Sequence, residues 1–158
     1  MSNIVLFPSP RSLSISSQSN IDINKTGLNL LILEGVVNIF RSNTVMPQGF
    51  DLTINENDIV IKTRDKAGEY YALSSLKQII AQSNQYLPKL SMSDYPDFEK
   101  RGIILDVSRD KIPTMDTLYS LIDFWSELRF NQLQLYTEHT FAYKDHQTVW
   151  EDYSPFTA

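Results

Sequence analysis

Two rhythms of apolar positions run along this chain, a period of two that marks strands and a spacing of three and four that marks helix faces. Between Asn3 and Ile23, short apolar runs alternate with Pro, Ser and Asn: Ile4 to Phe7, then Leu13 and Ile15, then Ile21 and Ile23. That pattern predicts short strands separated by turns. Leu28 to Phe40 is apolar at almost every position; period alone leaves helix and strand open there, and the reading taken is a helix. Phe50, Leu52 and Ile54 alternate, Asn55 to Asp58 is a polar turn, and Ile59, Val60 and Ile61 follow, as in a β-hairpin. Asp65 can cap a helix whose inner face is Ala72, Leu73, Leu76, Ile79 and Ile80. Residues 1–95 are therefore expected to form a small α+β domain, an antiparallel sheet covered on one face by helices.

The stretch Ser93 to Phe98, with Pro96 and Asp97, breaks the periodicity, and a second domain is expected over residues 96–158. Ile103-Ile104-Leu105 is a continuous apolar run of the kind a strand buried on both faces shows. Pro113 and Thr114 open a helix with Asp116 in its first turn and a buried stripe of Leu118, Leu121, Ile122, Trp125 and Leu128. Leu133 to Tyr136 supplies a second strand, completing a βαβ unit with parallel strands.

Parallel strands end at the same rim, where α/β sheets and barrels bind ligands. The rim gathers Asp106, Ser108 and Arg109 from the first strand with Thr137, Glu138 and His139 from the second. Carboxylates, a guanidinium and an imidazole there suit sugar hydroxyls, or the orientation of an acid/base group. An Asp and an Arg three residues apart at a strand end also form plain ion pairs, and the residues alone leave the two readings open. Phe141, Tyr143, Trp150, Tyr153 and Phe156 offer either a stacking platform or ordinary packing.

Charge and composition remove several classes of function. Fourteen Lys and Arg against nineteen Asp and Glu give a net charge of −5, the wrong sign for a nucleic-acid surface. The absence of cysteine excludes disulfides and thiolate sites. His139 and His146 are seven apart, which matches no metal-ligand spacing, and neither a metal nor any other cofactor is expected. No phosphate-binding glycine loop and no G-x-S-x-G elbow occurs. The longest unbroken aliphatic run, Leu30 to Leu33, is far short of a membrane span, and Met1 to Phe7 lacks a signal-peptide core, so a cytoplasmic location is expected.

The stretch Asp94-Tyr95-Pro96-Asp97-Phe98-Glu99-Lys100-Arg101-Gly102-Ile103-Ile104-Leu105-Asp106-Val107-Ser108-Arg109 resembles the start of the catalytic barrel in glycoside hydrolase family 20, the β-N-acetylhexosaminidases. Asp65 to Leu76 is similar to the helix that closes that family's non-catalytic N-terminal domain. The resemblance implies that residues 96–158 begin a (β/α)8 barrel and that Arg109, ending its first strand, holds hydroxyls of a terminal N-acetylhexosamine. Asp106, Glu138 and His139 are the further substrate-binding candidates. Many members end the second barrel strand with H-x-H-L-x-D-D, whereas Tyr136-Thr137-Glu138 resembles a branch with a Tyr-x-Glu strand end.

The family implies a retaining mechanism in which the sugar's own acetamido oxygen attacks the anomeric carbon, an Asp orients that group and the following Glu protonates the leaving oxygen. No Asp-Glu dipeptide occurs in the chain. A complete barrel takes about 250 residues, against the span 96–158 here. The chain is accordingly expected to be a fragment of a hexosaminidase acting on N-acetylhexosamine glycans, with no catalytic residue of its own and no activity by itself. The alternative is a non-catalytic carbohydrate-binding or self-association module, association being favoured by exposed barrel edges.

Overall fold

A computed structural model describes residues 4–23, 28–109 and 111–157; Asn3 and the side chains of Leu30 and Leu33 lie outside that description. The chain divides into two compact units, Met1–Glu99 and Lys100–Ala158.

The first unit is built on a five-stranded sheet of β1 (Ser12–Asp22), β2 (Val37–Arg41), β3 (Phe50–Ile54), β4 (Ile59–Thr63) and β5 (Tyr86–Asp94), in the order β1-β5-β3-β4-β2. Helices α1 (Leu28–Leu33) and α2 (Lys66–Gln82) complete it. The β3–β4 hairpin follows the alternation directly. Phe50, Leu52, Ile54, Ile59 and Ile61 are all buried, and Leu52 pairs with Ile61 on one side and Met92 on the other. This row is the core against which Tyr71, Ala72, Leu76 and Ile79 of α2 pack. Asp65 caps α2, its Oδ1 accepting from the Gly68 N–H at 2.8 Å while Oδ2 accepts from the Gln48 N–H at 2.7 Å. Two carboxylate oxygens thus fasten the helix start to the loop before β3.

The sheet departs from the expected antiparallel one. It is mixed, because β2 runs parallel to its neighbour β4. The stretch Leu28 to Phe40 is not one helix but a short helix and a strand. Gly35, at φ +71°, ends α1 in the left-handed region, with the Gly35 N–H bonded to the Ile32 carbonyl and the Val36 N–H to that of Leu31. Only glycine takes that conformation without steric cost, so the chain turns there and continues as β2.

Ile4 to Phe7 also behaves differently from a strand. Ile4 and Leu6 are buried and Val5 and Phe7 exposed, as period two requires, but the segment pairs with α2. The Gln82 carboxamide accepts from the Val5 N–H at 2.9 Å and donates to the Val5 carbonyl at 2.7 Å, and Gln78 does the same for Phe7 at 2.9 and 2.8 Å. Glutamines one helical turn apart take the place of a neighbouring strand. Strand β5 alternates from Leu90 to Asp94, with Leu90, Met92 and Asp94 buried, but Pro88 and Lys89 break the period between Leu87 and Leu90. Pro88 has no N–H for the ladder, and β1 bulges opposite it, with a register shift between Ile15 and Gln18.

In the second unit, β6 (Gly102–Asp106) and β7 (Gln132–Tyr136) are parallel and joined through α3 (Met115–Glu127), capped by the Thr114 hydroxyl. A short α4 (Gln147–Trp150) follows. Asn131 holds the strand starts together, its Oδ1 accepting from the Arg101 N–H at 2.8 Å and its own N–H bonding the Arg101 carbonyl at 2.8 Å. The expectation of a strand buried on both faces fails here, since Ile104 is 68% exposed. The α3 stripe is likewise only partly covered: Leu118 is buried, Leu121, Trp125 and Leu128 are half-buried, and Ile122 is 42% exposed. A two-stranded sheet is too narrow to cover both a helix stripe and its own second face.

Candidate sugar-binding site

Parallel pairing decides what the rim of the second unit holds. Asp106 and Tyr136 are register partners at the ends of β6 and β7, so the residues immediately after them leave the sheet side by side. The ladder continues one step further through the Val107 N–H, bonded to the Tyr136 carbonyl at 3.0 Å. Beyond that the first strand turns, and Asp106 makes the turn: its Oδ1 accepts from the Ser108 N–H at 2.8 Å and from the Ser108 hydroxyl at 2.6 Å. A short carboxylate bonding its own backbone two residues on is a common way of closing a turn. Those two bonds, the hydroxyl first, hold the Asp106 carboxyl below the usual carboxylate range.

The turn delivers Arg109 to Glu138. The Arg109 guanidinium donates through Nη2 to Glu138 Oε1 at 2.9 Å. Tyr136 donates its hydroxyl to the same oxygen, also at 2.9 Å. Tyr136 ends β7 and Glu138 follows two residues later in a bend, close enough along the chain for the two side chains to meet. Glu138 is held well into its ionised form by the Tyr136 hydroxyl and, next, by Arg109. Conversely, bonding to Glu138 raises both the Tyr136 phenol and the Arg109 guanidinium. At neutral pH the site therefore presents a carboxylate that accepts, and a guanidinium that donates through its remaining N–H groups.

The four candidate residues are thus placed differently. Arg109 and Glu138 meet in one pair, Asp106 is turned onto Ser108, and His139 lies against the Tyr153 ring with centroids 4.2 Å apart. Tyr136, absent from the candidates, joins the pair; its spacing of two from Glu138 was the signal in the sequence. The loop after β7 is tied down around them. The Thr137 and Tyr143 hydroxyls are bonded at 2.5 Å, the Trp150 indole N–H donates to the Tyr143 carbonyl at 2.9 Å, and Phe141 bridges to Phe156. Phe141 and Tyr143 pack edge to face, with ring centroids 4.9 Å apart.

Solvent reaches this pair freely, with the Arg109 side chain 66% and the Glu138 side chain 39% exposed. Exposed ion pairs contribute little to stability, so folding alone does not account for two side chains converging on one oxygen of Glu138. Planar donors and a fixed acceptor at the strand ends match vicinal hydroxyls. Among the described residues no cluster of three His, Asp or Glu side chains is placed to hold a metal ion, and no helix is long and apolar enough to cross a membrane.

Known proteins resemble both units. The N,N'-diacetylchitobiase of Vibrio harveyi is 33% identical over 98 residues, 61% of this chain and 11% of that protein. The beta-hexosaminidase subunit alpha of Mus musculus is 26% identical over 119 residues, 72% of this chain and 22% of that one. The chain therefore spans less than a quarter of the length of these curated relatives. Among solved structures, the chitobiase of Flavobacterium johnsoniae superposes with a TM-score of 0.73 over 96% of this chain and 31% of that one, at 18% identity, a likeness of fold. Residues 8–95, more than half of the chain, match the family description glycosyl hydrolase family 20, domain 2. A match of that extent, over the unit formed by the mixed sheet and α2, places this chain in glycosyl hydrolase family 20.

Proposed function

We propose that this chain is part of a β-N-acetylhexosaminidase, contributing the family's domain 2 and the first β-α-β portion of its (β/α)8 barrel. The observation that carries the reading is the convergence of Arg109 and Tyr136 on one oxygen of an ionised Glu138, at the C-terminal ends of two parallel strands. That is the end of a (β/α)8 barrel where substrate binds. In this role Arg109 donates to hydroxyls of a terminal N-acetylhexosamine and Glu138 accepts from one, while Asp106 acts as a positioning residue that shapes the turn carrying Arg109. His139, stacked against Tyr153, lines the edge of the same subsite. The domain boundary lies near residues 95–96.

The reaction is substrate-assisted hydrolysis of a terminal β-linked N-acetylhexosamine. Its orienting Asp and proton-donating Glu lie outside these 158 residues, since no Asp-Glu pair occurs within them. Alone, the chain binds without turning over. The exposed faces of Ile104, Phe124 and Leu135 favour self-association of the isolated chain, and a cytoplasmic location completes the reading.

The test is calorimetric titration with a thiazoline mimic of the cyclised acetamido intermediate, together with a chromogenic N-acetylglucosaminide assay. The expected result is binding that disappears in Arg109→Ala, with no turnover by either protein. Turnover by the purified chain, or binding indifferent to Arg109→Ala, overturns the reading.

A further inference from the structure

Away from the rim, the first unit holds a cleft of about 300 Å³ where the β1 bulge, the residues after α2 and the start of β5 meet. Its origin lies in the sequence. Pro88 cannot donate to the ladder, and opposite it β1 shifts register between Ile15, the partner of Leu90, and Gln18, the partner of Pro88. Serines patch the defect: the Ser16 hydroxyl donates to the Lys89 carbonyl at 3.3 Å and the Ser19 hydroxyl to the Leu87 carbonyl at 2.8 Å. What remains open is lined by Ile15, Tyr86 and Pro88, with Ser17, Gln18 and Asn84 around them.

The lining is chemically selective. It contains no charged side chain, so neither a phosphate, a carboxylate nor an ammonium group has a counter-ion within it. Tyr86 and Pro88 are half-buried and give it rigid apolar surfaces. The side chains of Ser17, Gln18 and Asn84 make no hydrogen bond to other described residues, leaving a hydroxyl and two carboxamides to donate and accept. An uncharged ligand with apolar ring faces and a hydroxylated edge fits this set, because an aromatic ring attracts the C–H face of a pyranose while amides bond its equatorial hydroxyls. The volume stands at the small end of ligand pockets.

We propose that this cleft is a second, non-catalytic saccharide site, which holds an uncharged pyranose unit of the glycan at a place distinct from the Arg109–Glu138 rim. The choice of a sugar among uncharged amphipathic ligands rests on the glycosidase reading above. Tyr86 supplies the stacking surface, and Gln18 and Asn84 bond the hydroxyls. A weak site of this kind keeps a polymeric substrate near the protein by raising its effective concentration.

The test is a titration of the isotopically labelled chain with N,N'-diacetylchitobiose, followed through the backbone amides of Ser17, Gln18 and Asn84 by NMR. Saturable shifts are expected at these amides, weakened about tenfold by Tyr86→Ala and several-fold by Gln18→Ala, and unchanged by Arg109→Ala. Gln18 is exposed on the bulge, so Gln18→Ala decides the matter even where Tyr86→Ala fails to fold. The proposal is overturned by the absence of shifts at these amides, or by shifts that Gln18→Ala leaves intact. Failure of the glycosidase reading has a different signature, the loss of Arg109-dependent binding with the cleft amides still responding.

Discussion

Gly68 separates the demands of helix propensity from those of packing. It occupies the third position of α2, and in an isolated helix alanine is favoured over glycine there by about 0.8–1.0 kcal/mol. In the folded unit a Cβ on Gly68 falls 2.1 Å from the Gly49 carbonyl oxygen and 2.6 Å from Thr63 Oγ1. The first contact is with backbone at the start of β3, so relief requires the helix to rise from the sheet by roughly 1 Å. Overpacking of this kind costs about 1–3 kcal/mol. The same displacement stretches the bond from the Gly68 N–H to Asp65, a cap worth about 1 kcal/mol. Subtracting the propensity gain leaves a net loss of about 1–3 kcal/mol for Gly68→Ala. At roughly 4–8 °C per kcal/mol for a domain of this size, the expected drop in Tm is about 10 °C. Thermal unfolding followed by circular dichroism at 222 nm reads it. Gly35→Ala is the comparison, with nothing within 4 Å of its added Cβ, so its cost is confined to the left-handed backbone, about 1–2 kcal/mol. A Gly68→Ala chain that melts at or above the parent temperature refutes the close-approach argument.

Asp65→Ala removes both the α2 cap and the acceptor for the Gln48 N–H, and is expected to lower stability by about 1–2 kcal/mol, read as a reduced urea midpoint at unchanged slope. Replacing Gln78 and Gln82 together by alanine strips the Val5 and Phe7 backbone of its partners; amide exchange at those two residues should accelerate while exchange in β3 stays slow. Glu138 is held below its ordinary value, so the stabilisation it draws from Tyr136 and Arg109 is present above about pH 4.5 and is lost as pH falls through the lower folded value. A carboxyl-carbon NMR titration should place its midpoint below 4.5 and move it upward in Tyr136→Phe and in Arg109→Ala; an unmoved midpoint refutes the geometry of the site.

Much of this protein follows from local pattern alone. The alternation of Phe50, Leu52 and Ile54 with Ile59 and Ile61, the Asp65 cap and the Thr114 cap each specify an element without distant partners, because period and capping chemistry act over a few residues. The meeting of the two strand ends also follows from sequence, once a helix of α3's length forces β6 and β7 to run parallel. Other features needed the third dimension. Ile4 to Phe7 has a strand's period, but its neighbour proved to be a pair of glutamines on a helix, and the identity of a neighbour is not a local property. Strand β5 carries Pro88 where β3 no longer pairs with it and where β1, its remaining neighbour, shifts register. The rim shows the same division: the sequence placed Arg109 and Glu138 at one edge, while the Asp106 turn and the bend after β7 decided that Arg109 and Tyr136 share a single Glu138 oxygen. Spacing along a chain determines which residues can meet, and only the register of packed elements determines which atoms do.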